Sequence, residues 1–141
     1  MAQFSETVNI GRSPEDVWRV IGRPEHWFEG YLETRSRSPG YPAPDTRNDH
    51  LYRTRIQEEV EVRVTRAEAP TVLEETQQGK TFARRLRYRL SPAPGGTSLL
   101  VEDNIVFKDL GKLAAPIASR DVRKRWATSL ERLKAAAEAG E

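Results

Sequence analysis

Glu59-Val60-Glu61-Val62-Arg63-Val64 sets three valines on one side of an extended chain and three charges on the other. A period of two of this kind belongs to an antiparallel strand with one face on a core and the other in water. Working outward, Ala69-Pro70 ends the run, Val72 to Thr76 reads as a further strand, and Gln78-Gly79-Lys80 reads as the turn after it. Phe82, Leu86, Tyr88 and Leu90 then share one face of a long strand whose other face carries Arg85, Arg87 and Arg89. Pro92-Ala93-Pro94-Gly95-Gly96 turns the chain, and Thr97 to Phe107 returns as its partner. Upstream, His50 to Ile56 alternates Tyr52, Thr54 and Ile56, turned inward, with Arg53 and Arg55. Tyr31 to Arg37 is a further strand, and Ser38-Pro39-Gly40-Tyr41-Pro42-Ala43-Pro44-Asp45 is the longest expected loop, since its three prolines and glycine forbid regular structure.

The two ends differ from this middle. Phe4, Val8 and Ile10 alternate with polar residues and give a first strand over about residues 2 to 10. Ser13-Pro14-Glu15-Asp16 then reads as a helix start, with a capping hydroxyl, a proline where no N–H is needed, and acids at the positive end of the helix. Val17, Trp18, Val20 and Ile21 give that helix an apolar side, and Pro24-Glu25-His26-Trp27-Phe28 begins a second short helix before Gly30. From about Leu110 to Glu138 the chain is rich in Ala, Leu, Lys, Arg and Glu, and Val122, Trp126, Leu130 and Leu133 make an apolar stripe at helical spacing. The expected fold is α+β, a curved antiparallel sheet of about seven strands wrapped around a long C-terminal helix, because only that helix is long enough to cover the valine face.

Composition narrows the function. A chain of 141 residues is the size of one domain, expected to span 1–141. Hydrophobic residues are 37% and charged residues 31%, with no apolar run near the ~20 residues of a membrane span. The N-terminus shows no basic segment followed by an apolar one, so a cytoplasmic protein is expected. Cysteine is absent, which excludes disulfides and thiolate chemistry within the chain. Two histidines, His26 and His50, without a helical His-x-x-x-His pair imply no metal site, and Gly79, Gly95 and Gly96 sit in turns and not in a phosphate loop, so no cofactor is expected. The net charge is only +2, and the Arg85, Arg87, Arg89 stripe has neutralising partners at hand, Glu102 near Arg85 and Glu74 or Glu75 on the preceding strand. Nucleic acid is therefore not an expected partner.

Strand parity brings chemistry to the inner face. With Phe82, Leu86 and Tyr88 inward, Arg84 is inward too, and with Leu99, Val101, Ile105 and Phe107 inward, so is Asp103. The two form either a structural ion pair or a ligand-contacting pair. Glu6, on the face of Phe4 and Val8, is placed to join them, or is solvated if the first strand frays. His50 is the first candidate for a general base, or is exposed beside the proline-rich loop. Trp18, Phe107 and Trp126 read as core.

The whole chain resembles the START-like or SRPBCC superfamily of helix-grip proteins, which includes polyketide cyclases and dehydrases, pollen allergens and lipid-transfer domains. The residues carrying the resemblance are Val8-Asn9-Ile10-Gly11-Arg12-Ser13-Pro14-Glu15-Asp16-Val17-Trp18, the hairpin at Gly95-Gly96-Thr97, and Arg125-Trp126-Ala127-Thr128-Ser129-Leu130-Glu131-Arg132-Leu133-Lys134. The resemblance implies a cavity between sheet and helix for a small hydrophobic or aromatic, lipid- or polyketide-like molecule. The expected lining is Phe28, Tyr31, Tyr52, Phe82, Arg84, Leu86, Tyr88, Val101, Asp103, Ile117 and Trp126, with His50, Arg84 and Asp103 as catalytic candidates. It leaves three functions open: a binding or carrier module, a cyclase- or dehydrase-like enzyme acting on a carbonyl, and a partner-binding domain like the activators of the Hsp90 ATPase. A monomer or homodimer is expected.

Overall fold

Seven strands in the order β1-β7-β6-β5-β4-β3-β2 form one antiparallel sheet, in a computed structural model that describes residues 2–53, 56–108 and 115–140, of which 2 and 115–119 by backbone alone. The strands are β1 Ala2–Ile10, β2 Tyr31–Arg37, β3 Arg47–Arg53, β4 Gln57–Glu68, β5 Val72–Gln78, β6 Phe82–Ala93 and β7 Gly96–Phe107. The helices are α1 Pro14–Ile21 and α2 Ala115–Glu138, and Pro24–His26 makes a single 3-10 turn. Of the expected C-terminal helix, residues 110 to 114 lie outside the described part.

Local chemistry explains the boundaries. Ser13 is extended and its side chain accepts from the Asp16 N–H, with Pro14 at the first helical position. Gly22 closes α1, and the Trp27 indole donates to the Val20 carbonyl at 2.9 Å, tying the next segment back to the helix. The β6–β7 hairpin is tighter than its prolines suggest: the strands pair as far as Ala93 with Gly96, leaving only Pro94-Gly95 to turn. Proline followed by a glycine at φ +78° is the type II pattern. At Gly96 a Cβ would lie 2.0 Å from the Ile10 carbonyl oxygen, so no other residue allows β1 to approach there.

The sheet buries its inner face under the helices. Ile10, Val17, Val20, Ile21, Leu73, Leu90, Leu99 and Leu133 form a dry core with Ala136 and Ala137. Trp126, Leu130 and Leu133 of the expected stripe are buried and Val122 packs against the core, while Trp18 and Phe107 are only half-buried. The end of α2 is fixed by Glu138, whose carboxylate accepts from the Gly11 N–H at 2.8 Å and whose carbonyl accepts from Arg12.

Three strand readings need correction. β3 runs Arg47–Arg53, three residues earlier than expected at its start; Ile56 lies beyond it and is exposed, and Thr54 falls outside the described residues. Glu6 is exposed although β1 pairs from Ala2, because its edge-strand neighbours are not covered there as Ile10 is; it lines a groove of about 640 Å3 between β1 and α2, with Phe4, Val8, Arg123, Leu130 and Lys134. On the outer face Glu102 stands opposite Arg87, not Arg85, and Glu74 reaches Arg87 from the other side at 3.5 Å.

Candidate functional site

Five buried polar atoms have no hydrogen-bond partner among the described residues: Asn48 Nδ2, His50 Nε2, Gln77 Oε1, Arg84 Nε and Asp103 Oδ1. Strand registers place all five residues on one face. Gln77 stands opposite Arg84 on one side and Val62 on the other, Val62 stands opposite Asn48, and Leu86 stands opposite Asp103. They form a polar patch on the inner surface of β3, β5, β6 and β7, beyond the end of the dry core. Buried polar groups in folded proteins are nearly always paired with protein or ordered water, so a cluster of exceptions marks a place that water or a ligand completes.

Arg84 and Asp103 come together as expected, but diagonally. Arg84 is opposite Ile105 and leans one step along the sheet to place Nη2 2.7 Å from Asp103 Oδ2. The same oxygen accepts from the Trp126 indole of α2 at 2.9 Å. Asp103 thus holds the helix to the sheet with one oxygen and presents the other, Oδ1, to the interior. The Arg84 guanidinium also lies 5.4 Å from the Phe82 ring centroid.

His50 is fully buried between aromatic rings. It stacks on Tyr52 with centroids 5.5 Å apart and meets the edge of Tyr31. Nδ1 lies 3.1 Å from Thr34 Oγ1, which in turn is 2.6 Å from the Tyr31 hydroxyl. Burial, with the nearby Arg37 charge, lowers its pKa to about 4, so the ring is neutral at pH 7 and Nε2 is free to meet a ligand.

Glu75 is not among the residues that the sequence singles out for the site, where it reads as a partner for the outer arginines. It points inward, 4% exposed, at the centre of the patch. Its two oxygens accept from the Tyr41 hydroxyl at 3.0 Å and the Gln77 amide at 3.3 Å. Neither partner is charged. Burial therefore outweighs these hydrogen bonds and the more distant Arg84 charge, and raises the Glu75 pKa to about 7. Tyr41, Tyr52 and Tyr88 are pushed well above the ordinary phenol value, chiefly by burial, so all three remain protonated donors. The signal that points to Glu75 is parity: Leu73 inward makes Glu75 and Gln77 inward as well.

Aromatic rings border the patch. Phe28 stacks on Tyr52 at 5.1 Å and meets Trp126 edge-on at 5.8 Å, while Trp27 contacts both Tyr88 and Trp126. Of the expected lining, Leu86 and Val101 are fully buried in the dry core, Phe82 and Tyr52 belong to the cluster of Val60, Val62 and Ile105, and the side chain of Ile117 lies outside the described residues. Among the described residues no three ligating side chains gather as a metal site would require, and no helix is long and apolar enough to cross a membrane.

The geometry and the sequence agree with what is similar to them. A family model described as polyketide cyclase / dehydrase and lipid transport matches residues 1–138. No curated protein matches the sequence. Among solved structures, CV1439 from Chromobacterium violaceum superposes with a TM-score of 0.74 at 15% identity, covering 98% of this chain and 99% of the other. Ara h 8.0201 superposes with a TM-score of 0.72 at 13% identity over 97% of each chain. DynU16, from the dynemicin biosynthetic locus, gives 0.67 at 16% identity over all of this chain and 49% of its own. A sheet of this order gripping a C-terminal helix, together with the family match over nearly the whole chain, places the protein in the polyketide cyclase/dehydrase and lipid-transport family, with the helix-grip fold.

Proposed function

We propose that residues 1–141 act as a single binding domain that holds a small hydrophobic or aromatic molecule against the inner face of the sheet, beneath α2. The observation that carries this reading is the cluster of five unpartnered buried polar atoms within an aromatic border. Small-molecule sites are mostly apolar with a few placed polar groups, and the patch supplies both donors (Asn48, Arg84) and acceptors (Gln77, Asp103). Leaving such groups buried costs about 1–3 kcal/mol each, a cost that a ligand of matching pattern offsets.

The test is native mass spectrometry of freshly purified protein, followed by denaturing extraction of what it carries, with Trp27 and Trp126 fluorescence as the reporter in titrations. A stoichiometric apolar or aromatic molecule that rebinds and quenches that fluorescence is the expected result. A bare-chain mass, with no response to a panel of aromatic ketones, phenols and lipids, would sink the reading and turn attention to the outer surface.

One observation favours a second reading, that of an enzyme acting on a carbonyl compound. Glu75, poised near pH 7, is matched to general acid–base work, and Arg84 Nε is placed to polarise an oxygen beside it. His50, neutral down to about pH 4, is a hydrogen-bonding group and a weaker base than its residue type alone suggests. Turnover of the extracted molecule by the wild type, lost in Glu75→Gln while binding persists, would establish this reading over the first.

A further inference from the structure

Among the described residues the inner face carries five buried groups able to bear charge: Arg84, Asp103, Glu75, His50, which is neutral above about pH 4, and Glu58 at one end of β4, which accepts from the Thr81 N–H and hydroxyl. Arg84 is matched by Asp103 at 2.7 Å. Glu75 touches only neutral donors, Tyr41 and Gln77. The groups around it come from every neighbouring element: Tyr41 from the segment before β3, Tyr52 from β3, Val64 opposite on β4, Gln77 on β5, and Arg84 and Tyr88 from β6. Asp103 of β7 acts through its pair with Arg84, and Trp126 of α2 donates to Asp103. Among the described residues Arg84 is the one cation whose charge acts on Glu75, and it is already spoken for.

We propose that Glu75 sets the charge this site accepts, so that the inner face takes uncharged ligands carrying both a hydroxyl and a carbonyl and turns carboxylates away. This rests on the binding reading above and deepens it. The free acceptors Asp103 Oδ1 and Gln77 Oε1 require a donor such as a hydroxyl, and the free donors Arg84 Nε and Asn48 Nδ2 require an acceptor such as a ketone oxygen. A carboxylate would satisfy the donors but set a second unmatched negative charge near Glu75 in a dry interior, where like charges repel strongly. A fatty or aromatic acid is therefore a poor ligand, and the corresponding alcohol-ketone a good one.

A matched pair of fluorescent probes decides the matter: a hydroxynaphthyl methyl ketone and the corresponding hydroxynaphthoate, titrated into the full chain from pH 6 to pH 8. At pH 8 the ketone is expected to bind tighter by roughly tenfold or more, the size that like-charge juxtaposition commonly produces. Lowering the pH to 6 protonates Glu75, whose pKa lies at about 7, while His50 stays neutral. Naphthoate binding should then tighten severalfold and ketone binding hold within about twofold. Glu75→Gln should remove the pH response and bring the naphthoate to within about threefold of the ketone, since the charge is gone and the shape kept. If that variant fails to fold, the wild-type pH response alone decides. Equal binding of both probes at every pH would overturn the proposal and leave the site standing; binding of neither would overturn the site itself.

Discussion

Two ends of the same strands have been given different work. Along β6, Leu90, Tyr88 and Leu86 are buried in the dry core, and the next inward residue is Arg84; along β7, Leu99 and Val101 give way to Asp103. The dry end lies under α1 and the last turns of α2, where Leu133, Ala136 and Ala137 press on Ile10, Val17 and Leu99. The polar end adds Asn48, His50, Glu75 and Gln77, all buried, from β3 and β5. A core made only to stabilise would continue the apolar pattern, because buried ion pairs rarely outperform apolar side chains of similar volume. The switch from aliphatic to polar on the same strands separates the part of the sheet that holds the fold from the part proposed to meet a ligand.

The largest effect expected from this division is at the dry end. Leu133→Ala removes a fully buried side chain and leaves a void among close-packed neighbours. It should destabilise the protein by about 3–4 kcal/mol in chemical denaturation, as Leu-to-Ala changes in cores do. Ligand affinity of the folded protein should hold within about twofold, since Leu133 lies about two helical turns along α2 from Trp126, the helix residue that reaches Asp103. An equal loss of affinity would show that the two ends are one unit and break the comparison.

The polar end should respond with the opposite sign. Glu75 titrates at about 7 in the folded chain against 4.5 when exposed, so folding binds its proton more tightly and its ionisation is a cost. That cost is absent below pH 4.5, grows as the pH rises, and is complete above pH 7. Glu75→Gln should therefore leave stability at pH 4.5 nearly unchanged and raise it by roughly 2–3 kcal/mol at pH 8. His50 works the other way: its pKa falls from 6.5 to about 4, so its contribution is present above pH 6.5 and is lost as the pH falls to 4. The two slopes oppose each other between about pH 4.5 and 6.5 in the wild type. Glu75→Gln should expose the His50 slope, stability rising with pH, in urea titrations at a series of pH values. A variant less stable than wild type at pH 8 would mean that the Tyr41 and Gln77 hydrogen bonds outweigh the buried charge.

How much of this division sequence can carry is uneven, for physical reasons. Alternation in Val60-Glu61-Val62-Arg63-Val64 and in Phe82 to Leu90 fixes which residues face inward, and by itself it puts Arg84 and Asp103 on one face. Parity alone does not supply the register, so the pair is diagonal and Glu102 meets Arg87. Asn48 is hidden because β3 begins inside a stretch that follows the proline-rich loop, where no period announces a strand. Tyr41 sits in that loop and reaches Glu75 only through tertiary structure. Adjacent Glu74 and Glu75 read alike as surface charge, although Leu73 two positions earlier already sets Glu75 inward. The helical stripe shows that Trp126 faces the sheet, but its meeting with Asp103 depends on where α2 lies along its axis, which no spacing records.

The smallest effect tests whether the patch is held for a ligand or for stability. Thr34 Oγ1 links the Tyr31 hydroxyl to His50 Nδ1, and among the described residues it is the one hydrogen-bond partner of that ring. Thr34→Val keeps the volume and removes the link, leaving both His50 nitrogens without a partner among those residues. A lost hydrogen bond of this kind costs about 1 kcal/mol in stability. The larger consequence should be in binding. The Thr34 oxygen holds the His50 ring in its orientation, so its removal frees the ring to turn and changes what Nε2 presents to the interior. Binding of the extracted ligand should weaken severalfold while the fold survives, measured by fluorescence titration beside thermal unfolding. Unchanged affinity with the full stability loss would assign His50 to the dry end's kind of work, and would move the boundary between the two regions from β3 to β5.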